Sequence, residues 1–276
     1  MPGTLYVVAT PIGNLEDMTF RAVRTLKEAA VIACEDTRQT RKLLEHFSIA
    51  TRMVSYHEHN ERERTAELIA ELESGGAVAL VSDAGTPLIS DPGFRLVQAA
   101  VARGIIVTPI PGASAAMTAL SAAGLETDSF RFVGFPAVKT SQRRKEIEEW
   151  KNSRETVILY EAPHRILATL TDIADVLGPD RRVVVGRELT KLHEEFLRGT
   201  AHEVHDNLAR RPVIKGEITL LIAPAPEVAM EPAADTDLRA EVAALVASGA
   251  SKMDAMKQVA AKYGLGKRDV YKVMES

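Results

Sequence analysis

The chain has 276 residues, 46% of them hydrophobic and 26% charged, a composition typical of a globular protein of one or two domains. Its single cysteine, Cys34, excludes an internal disulfide framework and fits a reducing compartment. No apolar stretch reaches the roughly 18 residues of a membrane helix, and the first residues lack the pattern of a signal peptide, so we expect a cytoplasmic protein without membrane contact.

The first half of the chain alternates short apolar runs with amphipathic helical patterns, which indicates βαβ units and a parallel sheet. The run 77–82 (AVALVS) is apolar on both faces, as expected of a strand covered on both sides. Thr19 precedes a helical pattern and has the chemistry of an N-cap. We predict strands over residues 4–10, 31–36, 52–57, 77–82 and 105–112, and helices over 20–30, 38–47, 61–75 and 94–104.

The second half resumes the alternation after Gly112, so we place a domain boundary near 113–128. The predicted fold class is α/β: an N-terminal α/β domain over 1–115 and a C-terminal α/β domain over 116–226. The predicted helices of this half cover 113–124, 144–150, 164–178 and 205–212, and the apolar segments 129–136, 156–163, 181–189 and 217–224.

A short helical tail is predicted over 235–276, after a proline-rich linker. Ser251 suits a helix N-cap, and Gly264 suits the end of a helix, so the tail resembles a helix-turn-helix. From Gly249 onward six basic and three acidic residues give a charge of +3, which leaves −7 for the rest because the whole chain carries −4. A basic tail on an acidic body favours a nucleic-acid partner.

Four loops follow predicted strands at the carboxyl edge of the sheet, where open α/β proteins bind ligands. They are rich in glycine, proline and small polar residues, which suits close backbone contact with a flat, polar ligand. Neither G-x-G-x-x-G nor G-x-x-x-x-G-K-[ST] occurs at the required place, which disfavours a dinucleotide fold and excludes a P-loop ATPase. The loops are 10–15, 34–38, 82–93 and 109–115.

The ordered set TPIGNL, CEDTR, SDAGTPLISDPG, PGASA, EAPHR and GEIT, between residues 4 and 222, resembles the tetrapyrrole methylase superfamily. It is most similar to the branch that transfers a methyl group from S-adenosylmethionine to a cytidine 2′-hydroxyl in 16S rRNA of the small ribosomal subunit. The resemblance implies two α/β domains with the cofactor between them, a homodimer and a helix-turn-helix tail. Many tetrapyrrole enzymes of the superfamily have Gly-Asp-Pro where this chain has Gly85-Thr86-Pro87, which disfavours a corrin or porphyrin substrate.

The resemblance also implies which residues contact S-adenosylmethionine. Two loop carboxylates, Asp83 and Asp91, are added because a sulfonium favours a nearby negative charge; shaping the loop by hydrogen bonds is the equal alternative. No metal is required for this chemistry. The implied contacts are Pro11, Gly85, Thr86, Ile89, Ser114, Ala115, Phe132, Val133, Ala162, Gly216 and Glu217.

A general base could assist the 2′-hydroxyl, and the candidates are Glu35, Asp36, Glu188 and Lys191. A lysine acts as a base only with a lowered pKa. Glu35 and Asp36 could equally hold Arg38 in an ion pair, and positioning of the reactants alone can suffice.

Candidate RNA contacts are mainly basic residues, to which the resemblance adds His57 and Asn60. A metal site at His57 and His59 is less favoured than a solvated strand end and helix cap. Two alternatives stay open: a tetrapyrrole C-methyltransferase acting on a precorrin or uroporphyrinogen, and a DNA-binding regulator. The candidate RNA contacts are Arg38, His57, Asn60, Arg143, Arg144, Lys145, Lys267 and Arg268.

Overall fold

The computed structural model describes residues 2–226, 235–263 and 267–275. The chain forms two compact units, Met1–Ala225 and Pro226–Ser276. The first unit contains two five-stranded sheets, and the second is helical. No helix among the described residues is long and apolar enough to cross a membrane.

The N-terminal sheet is parallel throughout, with strand order β3-β2-β4-β1-β5. Every residue of β2 and β4 is buried, which explains why both strands are continuous apolar runs. The predicted cap at Thr19 is confirmed, because its side chain accepts the Ala22 N–H at 3.1 Å. The elements are β1 (Thr4–Val8), α1 (Phe20–Glu28), β2 (Val31–Cys34), α2 (Thr37–His46), β3 (Met53–Ser55), α3 (Glu61–Glu73), β4 (Val78–Val81), α4 (Phe94–Ala102) and β5 (Ile106–Ile110).

The second sheet is mixed, with order β6-β7-β10-β8-β9 and a parallel pairing only between β6 and β7. Because β10 is antiparallel to both neighbours, Ile218 at its start pairs with Glu161 at the end of β7 and Arg187 at the end of β8. The elements are α5 (Ala115–Ala123), β6 (Phe130–Phe132), α6 (Thr140–Glu149), β7 (Thr156–Glu161), α7 (Ile166–Leu177), β8 (Arg182–Arg187), β9 (Glu195–Thr200), α8 (Ala201–Ala209) and β10 (Ile218–Ile222).

Strand β9 is absent from the sequence-based prediction. It lies at the sheet edge, pairs only with β8, and has no buried residue, so its sequence lacks an apolar signal. Glu195 at its start bonds to Arg211 and Arg187, and these hydrogen bonds lower its pKa to about 2. Helix α8 then begins at Ala201, four positions earlier than predicted, because Thr200 and Glu203 form a capping box.

Helix α5 fixes how the two sheets share a core. Its buried face, which includes Ala119, packs against Ile158 and Leu221 of the second sheet, and Ile12 from the loop after β1 joins the same cluster. The loop after β1 is therefore held by side chains of the other sheet.

The second compact unit contains α9 (Asp235–Ala247), α10 (Lys252–Lys262) and α11 (Lys267–Glu275). Leu238, Val242, Val259 and Val270 form its core. The N-cap at Ser251 is confirmed, since its Oγ accepts the Asp254 N–H at 3.1 Å. The expected turn over 264–266 lies outside the described residues, and so do the side chains of Lys267 and Arg268.

Candidate active site

The loops after β1 and β4 are joined by a pair of backbone hydrogen bonds. The Thr10 N–H donates to the Gly85 carbonyl at 2.9 Å, and the Gly85 N–H donates back to the Thr10 carbonyl at 3.0 Å. The Thr86 hydroxyl donates to the Ala113 carbonyl at 3.2 Å, which adds the loop after β5. The Asp36 N–H donates to Asp83 Oδ1 at 3.0 Å, which adds the loop after β2. All four predicted loops therefore meet at the carboxyl edge of the first sheet.

A first cavity of about 330 Å³ lies between these loops and the second sheet. This volume falls at the lower end of the range for small-molecule sites. Ile12, Ile89, Phe135 and Ile218 supply apolar walls. The predicted cofactor contacts on its walls are Gly85, Thr86, Ile89, Asp91, Ser114, Ala115, Ala162, Gly216 and Glu217.

Two glycines shape this cavity. Gly85 has φ +79°, and a Cβ there would lie 3.2 Å from Ile12 Cγ2. Gly216 has φ +95°, and a Cβ there would lie 2.5 Å from the Glu188 side chain. Both backbone conformations are rarely adopted by other residues, so glycine is strongly favoured at each position.

The start of α5 supplies polar groups to the same cavity. Ser114 occupies the N-cap position, but its side chain makes no capping hydrogen bond. The free N–H groups of a helix start bind carboxylates well. Together with the apolar walls, this donor set fits a ligand that carries a carboxylate at one end and a flat ring at the other.

Four predicted cofactor contacts do not line the first cavity. Pro11 and Asp83 line a second cavity next to it. The Phe132 ring contacts the Tyr160 ring, with centroids 4.9 Å apart, and Val133 packs against the core of the second sheet. Phe135 belongs to the stretch 130–136, which the sequence predicts as an apolar slot for the adenine, whereas sequence reasoning missed the wall residue Tyr160 beside the EAPHR motif.

The second cavity, of about 470 Å³, adjoins the first, and Ile12, Ala84 and Glu217 line both. Helix α2 forms one wall, with Gln39, Thr40, Lys42 and Leu43. The other lining residues are Thr10, Pro11, Gly13, Leu15, Ser82, Asp83 and Lys191.

Three carboxyl groups, those of Glu35, Asp83 and Asp91, interact electrostatically near the two cavities. Burial raises the pKa of each, repulsion from Asp83 further raises the pKa of Glu35 and of Asp91, and repulsion from Asp36 further raises the pKa of Asp83. Hydrogen bonds from the backbone of Asp36 to Asp83 and from the Ser82 hydroxyl to Asp91 work against the shift. These groups therefore hold protons more strongly than ordinary carboxyl groups.

Asp36 has a different environment. It caps α2 by accepting the Arg38 N–H at 2.8 Å, and its other oxygen lies 2.7 Å from the Arg38 guanidinium. The hydrogen bonds from Arg38 lower the Asp36 pKa to about 2. The ion pair considered as an alternative is therefore present, and Asp36 is a weak base.

Lys191 lies between two carboxylates, with Nζ 2.9 Å from Glu188 Oε1 and 3.1 Å from Glu217 Oε2. Burial alone would lower its pKa, but the hydrogen bonds to both carboxylates outweigh burial, so the pKa is raised. The bond to Lys191 in turn lowers the pKa of Glu188. Lys191 therefore stays protonated at neutral pH, and Glu188 binds a proton only weakly, so neither is suited to act as the general base. The Lys191 stem instead covers Gly13, where a Cβ would lie 2.4 Å from Lys191 Cγ.

His57 and Asn60 form a local turn before α3. Asn60 Oδ1 accepts the His57 N–H at 2.8 Å, and Asn60 Nδ2 donates to the Ser55 carbonyl at 3.1 Å. Within the described residues, no group of three or more His, Cys, Asp or Glu side chains could hold a metal ion.

The basic segment at the start of α6 divides into buried and exposed members. Arg143 is only 3% exposed and lies 2.6 Å from Asp172 of α7. Arg144 bridges Asp172 and Asp175 at 3.0 and 2.8 Å. Lys145 is exposed and has no ion pair within the described part of the chain. Arg143 thus joins α6 to α7 and is withdrawn from the surface, whereas Lys145 faces solvent.

The fold and the site define a two-sheet α/β protein with a ligand cavity at the carboxyl edge of its parallel sheet, closed by a mixed sheet. Residues 4–205 match the model of the family described as "Tetrapyrrole (Corrin/Porphyrin) Methylases". The chain belongs to the tetrapyrrole methylase family, which makes it a methyltransferase.

Relatives at high identity carry one name. The chain is 53% identical to "Ribosomal RNA small subunit methyltransferase I" of Halalkalibacterium halodurans over 278 aligned residues, covering 98% of this chain and 94% of the relative. It is 47% identical to the protein of the same name in Bacillus subtilis, covering 98% and 93%.

Solved structures share the fold at low identity. A cobalt precorrin-4 methyltransferase matches with a TM-score of 0.61 and 16% identity, covering 80% of this chain and 94% of that one. A uroporphyrin-III C-methyltransferase from Thermus thermophilus, complexed with S-adenosyl homocysteine, matches with a TM-score of 0.56 and 18% identity, covering 79% and 97%.

Proposed function

We propose that this methyltransferase uses S-adenosylmethionine to methylate the 2′-hydroxyl of a cytidine in the 16S rRNA of the small ribosomal subunit. The observation that carries the proposal is the shared name of relatives 47–53% identical over nearly the whole chain. The tetrapyrrole enzymes among the solved structures are only 16–21% identical.

The first cavity is the proposed cofactor site. The start of α5, at Ser114 and Ala115, would bind the methionine carboxylate, and the apolar walls at Ile89 and Phe135 would hold the adenine. Asp91 lines the same cavity and would face the sulfonium charge. Gly85 and Gly216 allow the backbone to approach the cofactor closely.

Bound S-adenosylmethionine would supply an electrophilic methyl group: the ribose oxygen bonds to its carbon, the C–S bond breaks with its electron pair left on sulfur, and the hydroxyl proton is released. Asp83 is the proposed acceptor of that proton. It lines the second cavity, next to Ala84 on the shared wall, and its pKa is raised by burial. The pKa of Glu35 is also raised by burial and by repulsion from Asp91 and Asp83, so this neighbouring carboxyl group adds little competing negative charge.

A tetrapyrrole C-methyltransferase is the second candidate, favoured by the solved structures of the same fold. Against it stands Thr86 in the Gly85-Thr86-Pro87 segment. The +3 tail also favours RNA, since a small-molecule enzyme has no need of a basic tail. We further propose a cytoplasmic homodimer, which analytical ultracentrifugation would test against a monomer.

Labelled S-adenosylmethionine would test the proposal with three acceptors: undermethylated small subunits, free rRNA and uroporphyrinogen. Label in the small subunits, located on a cytidine ribose, supports the proposal. Label in uroporphyrinogen alone supports the second candidate. No transfer together with tight DNA binding would support a DNA-binding regulator.

Deletion of residues 235–276 tests the RNA role of the tail separately. RNA binding should weaken, and its dependence on salt concentration should become less steep, because fewer phosphate charges are neutralised. An unchanged salt dependence would remove the tail from the RNA interface.

A further inference from the structure

The second cavity lies outside the proposed cofactor site, but the two cavities share part of their lining. Ile12, Ala84 and Glu217 line both cavities, so an occupant of the second would touch an occupant of the first. At about 470 Å³, it is large enough for a small ligand of its own.

The charged side chains of the second cavity disfavour a small ligand that carries many carboxylates. Four charged side chains line the cavity: Lys42 and Lys191 are basic, and Asp83 and Glu217 are acidic, so the lining is neutral overall. Lys191 is already paired with Glu188 and Glu217. A tetrapyrrole with many carboxylates would place some of them against Asp83 and Glu217 without enough cations to compensate.

The remaining walls suit a flat ring with a hydrogen-bonding edge. Pro11, Ile12, Leu15 and Leu43 give apolar surfaces from two sides. Gln39 adds a directional polar group. Its Oε1 accepts from Lys42 Nζ at 3.3 Å, while its Nε2 has no partner among the described residues and is free to donate.

We propose that the second cavity is a nucleoside pocket, which receives the target nucleotide after it swings out of the RNA, and that Gln39 on α2 reads its base. The base lies between the apolar walls, with its O2 and N3 acceptors facing the Gln39 amide. The ribose then lies at the wall formed by Ile12 and Ala84, next to the first cavity. This inference rests on the proposed function, and it adds the specificity-determining residue.

Swinging a nucleotide out of a stack costs a few kcal/mol, which contacts in the pocket must offset. Lys42, exposed at the end of the Gln39 contact, is placed to meet a flanking phosphate.

Two variants and one control test this pocket in the full-length protein. Leu15→Trp fills it from a residue that is 40% exposed and does not line the first cavity; Gln39→Leu removes the donor and keeps the volume. Leu192→Trp is the control, because Leu192 is 93% exposed and lines neither cavity. Calorimetry measures S-adenosylmethionine affinity, and label incorporation measures transfer to small subunits.

Leu15→Trp and Gln39→Leu should each lower kcat/KM for the small subunit by about tenfold or more, with S-adenosylmethionine affinity unchanged. Leu192→Trp should change neither quantity. Undiminished transfer in both pocket variants would overturn the inference, and so would equal losses in the control.

Failure of the proposed function would look different, because the wild type itself would then transfer no label to the small subunit. In that case NMR would follow the binding of cytidine 5′-monophosphate in the presence of S-adenosylhomocysteine. This experiment tests whether the second cavity is a nucleoside pocket. Binding that Leu15→Trp abolishes supports a nucleoside pocket. Absence of binding, or binding that neither variant affects, contradicts it.

Discussion

The two sheets of the first unit contribute to the first cavity in different ways. In the parallel sheet every strand ends at the same edge, so the loops after β1, β2, β4 and β5 must gather there. In the mixed sheet β10 runs against β7 and β8, so the cleft edge combines residues that follow two strands, Ala162 and Glu188, with a residue that precedes a third, Gly216. The first sheet thus provides the loops that carry the proposed chemistry, and the second provides a wall.

Removal of the proposed proton acceptor should have the greatest effect, and it tests whether the chemistry belongs to the loops of the first sheet. Asp83→Asn should reduce methyl transfer by about 10²–10⁴-fold, because the proton acceptor is lost. Folding should be retained, since the asparagine oxygen can still accept the Asp36 N–H. In the wild type, transfer should fall with decreasing pH as Asp83 is protonated, with a midpoint above the ordinary aspartate value because its pKa is raised. A pH–rate profile measures both, and an active Asp83→Asn enzyme would contradict the assignment.

The next effect tests whether a basic residue of the second half is structural. Arg143→Ala should lower the free energy of unfolding by at most about 3–5 kcal/mol, because Asp172 loses its buried partner and keeps only the more exposed Arg144. Lys145→Ala, two positions along the same helix, should leave stability unchanged and reduce the slope of RNA affinity against salt by about one. Urea unfolding and salt titration distinguish the two variants. Equal stability of the two variants would show that the ion pair between Arg143 and Asp172 does not stabilise the fold.

Glycines from the two sheets offer a matched comparison. Gly85→Ala and Gly216→Ala should each cost about 1–3 kcal/mol of stability, because both positions have positive φ, and each should weaken S-adenosylmethionine binding. Gly124→Ala is the control: its φ is +73°, but a Cβ there meets nothing within 4 Å, and it lines neither cavity. It should lose similar stability without losing cofactor affinity. Calorimetry that finds all three alike in affinity would argue against a glycine-shaped cofactor site.

The smallest effects come from helix caps remote from the cavities. Thr19→Ala at α1 and Thr200→Ala at α8 should each lower stability by about 1 kcal/mol, because each hydroxyl accepts a helix N–H. Methyl transfer should not change in either variant. Thermal unfolding and activity would be measured on the same samples. A loss of activity in either variant would show that these helix caps influence the site.

Sequence reasoning predicted the half of the site that a topological rule governs. The four glycine- and proline-rich loops met as expected because parallel strands leave no other arrangement. The second half depended on the resemblance, since nothing in the residues alone places Gly216, which precedes a strand, beside Ala162, which follows one. Strand β9 was missed because Glu195 and Arg198 are stabilised by pairing at an edge, without an apolar pattern.

Side-chain environment was harder to foresee than position. Asp36 and Asp83 are both loop aspartates, yet hydrogen bonds from Arg38 lower one pKa and burial raises the other. Arg143 and Lys145 are both basic residues of one segment, yet only the first faces a carboxylate of α7. Arg38 lies only two positions from Asp36, but the carboxylate that pairs with Arg143 lies in another helix and is distant in sequence. The division into domains 1–115 and 116–226 stays a prediction.

We propose that loops of the parallel sheet and the wall of the mixed sheet together bind S-adenosylmethionine in the first cavity. A crystal structure of the full-length protein grown with S-adenosylmethionine would show whether they do. We expect the cofactor against Gly85 and Gly216, with its carboxylate at the start of α5 by Ser114 and its methyl group directed at the wall shared with the second cavity. Cofactor bound elsewhere, or an empty first cavity at saturating concentration, would contradict this proposal.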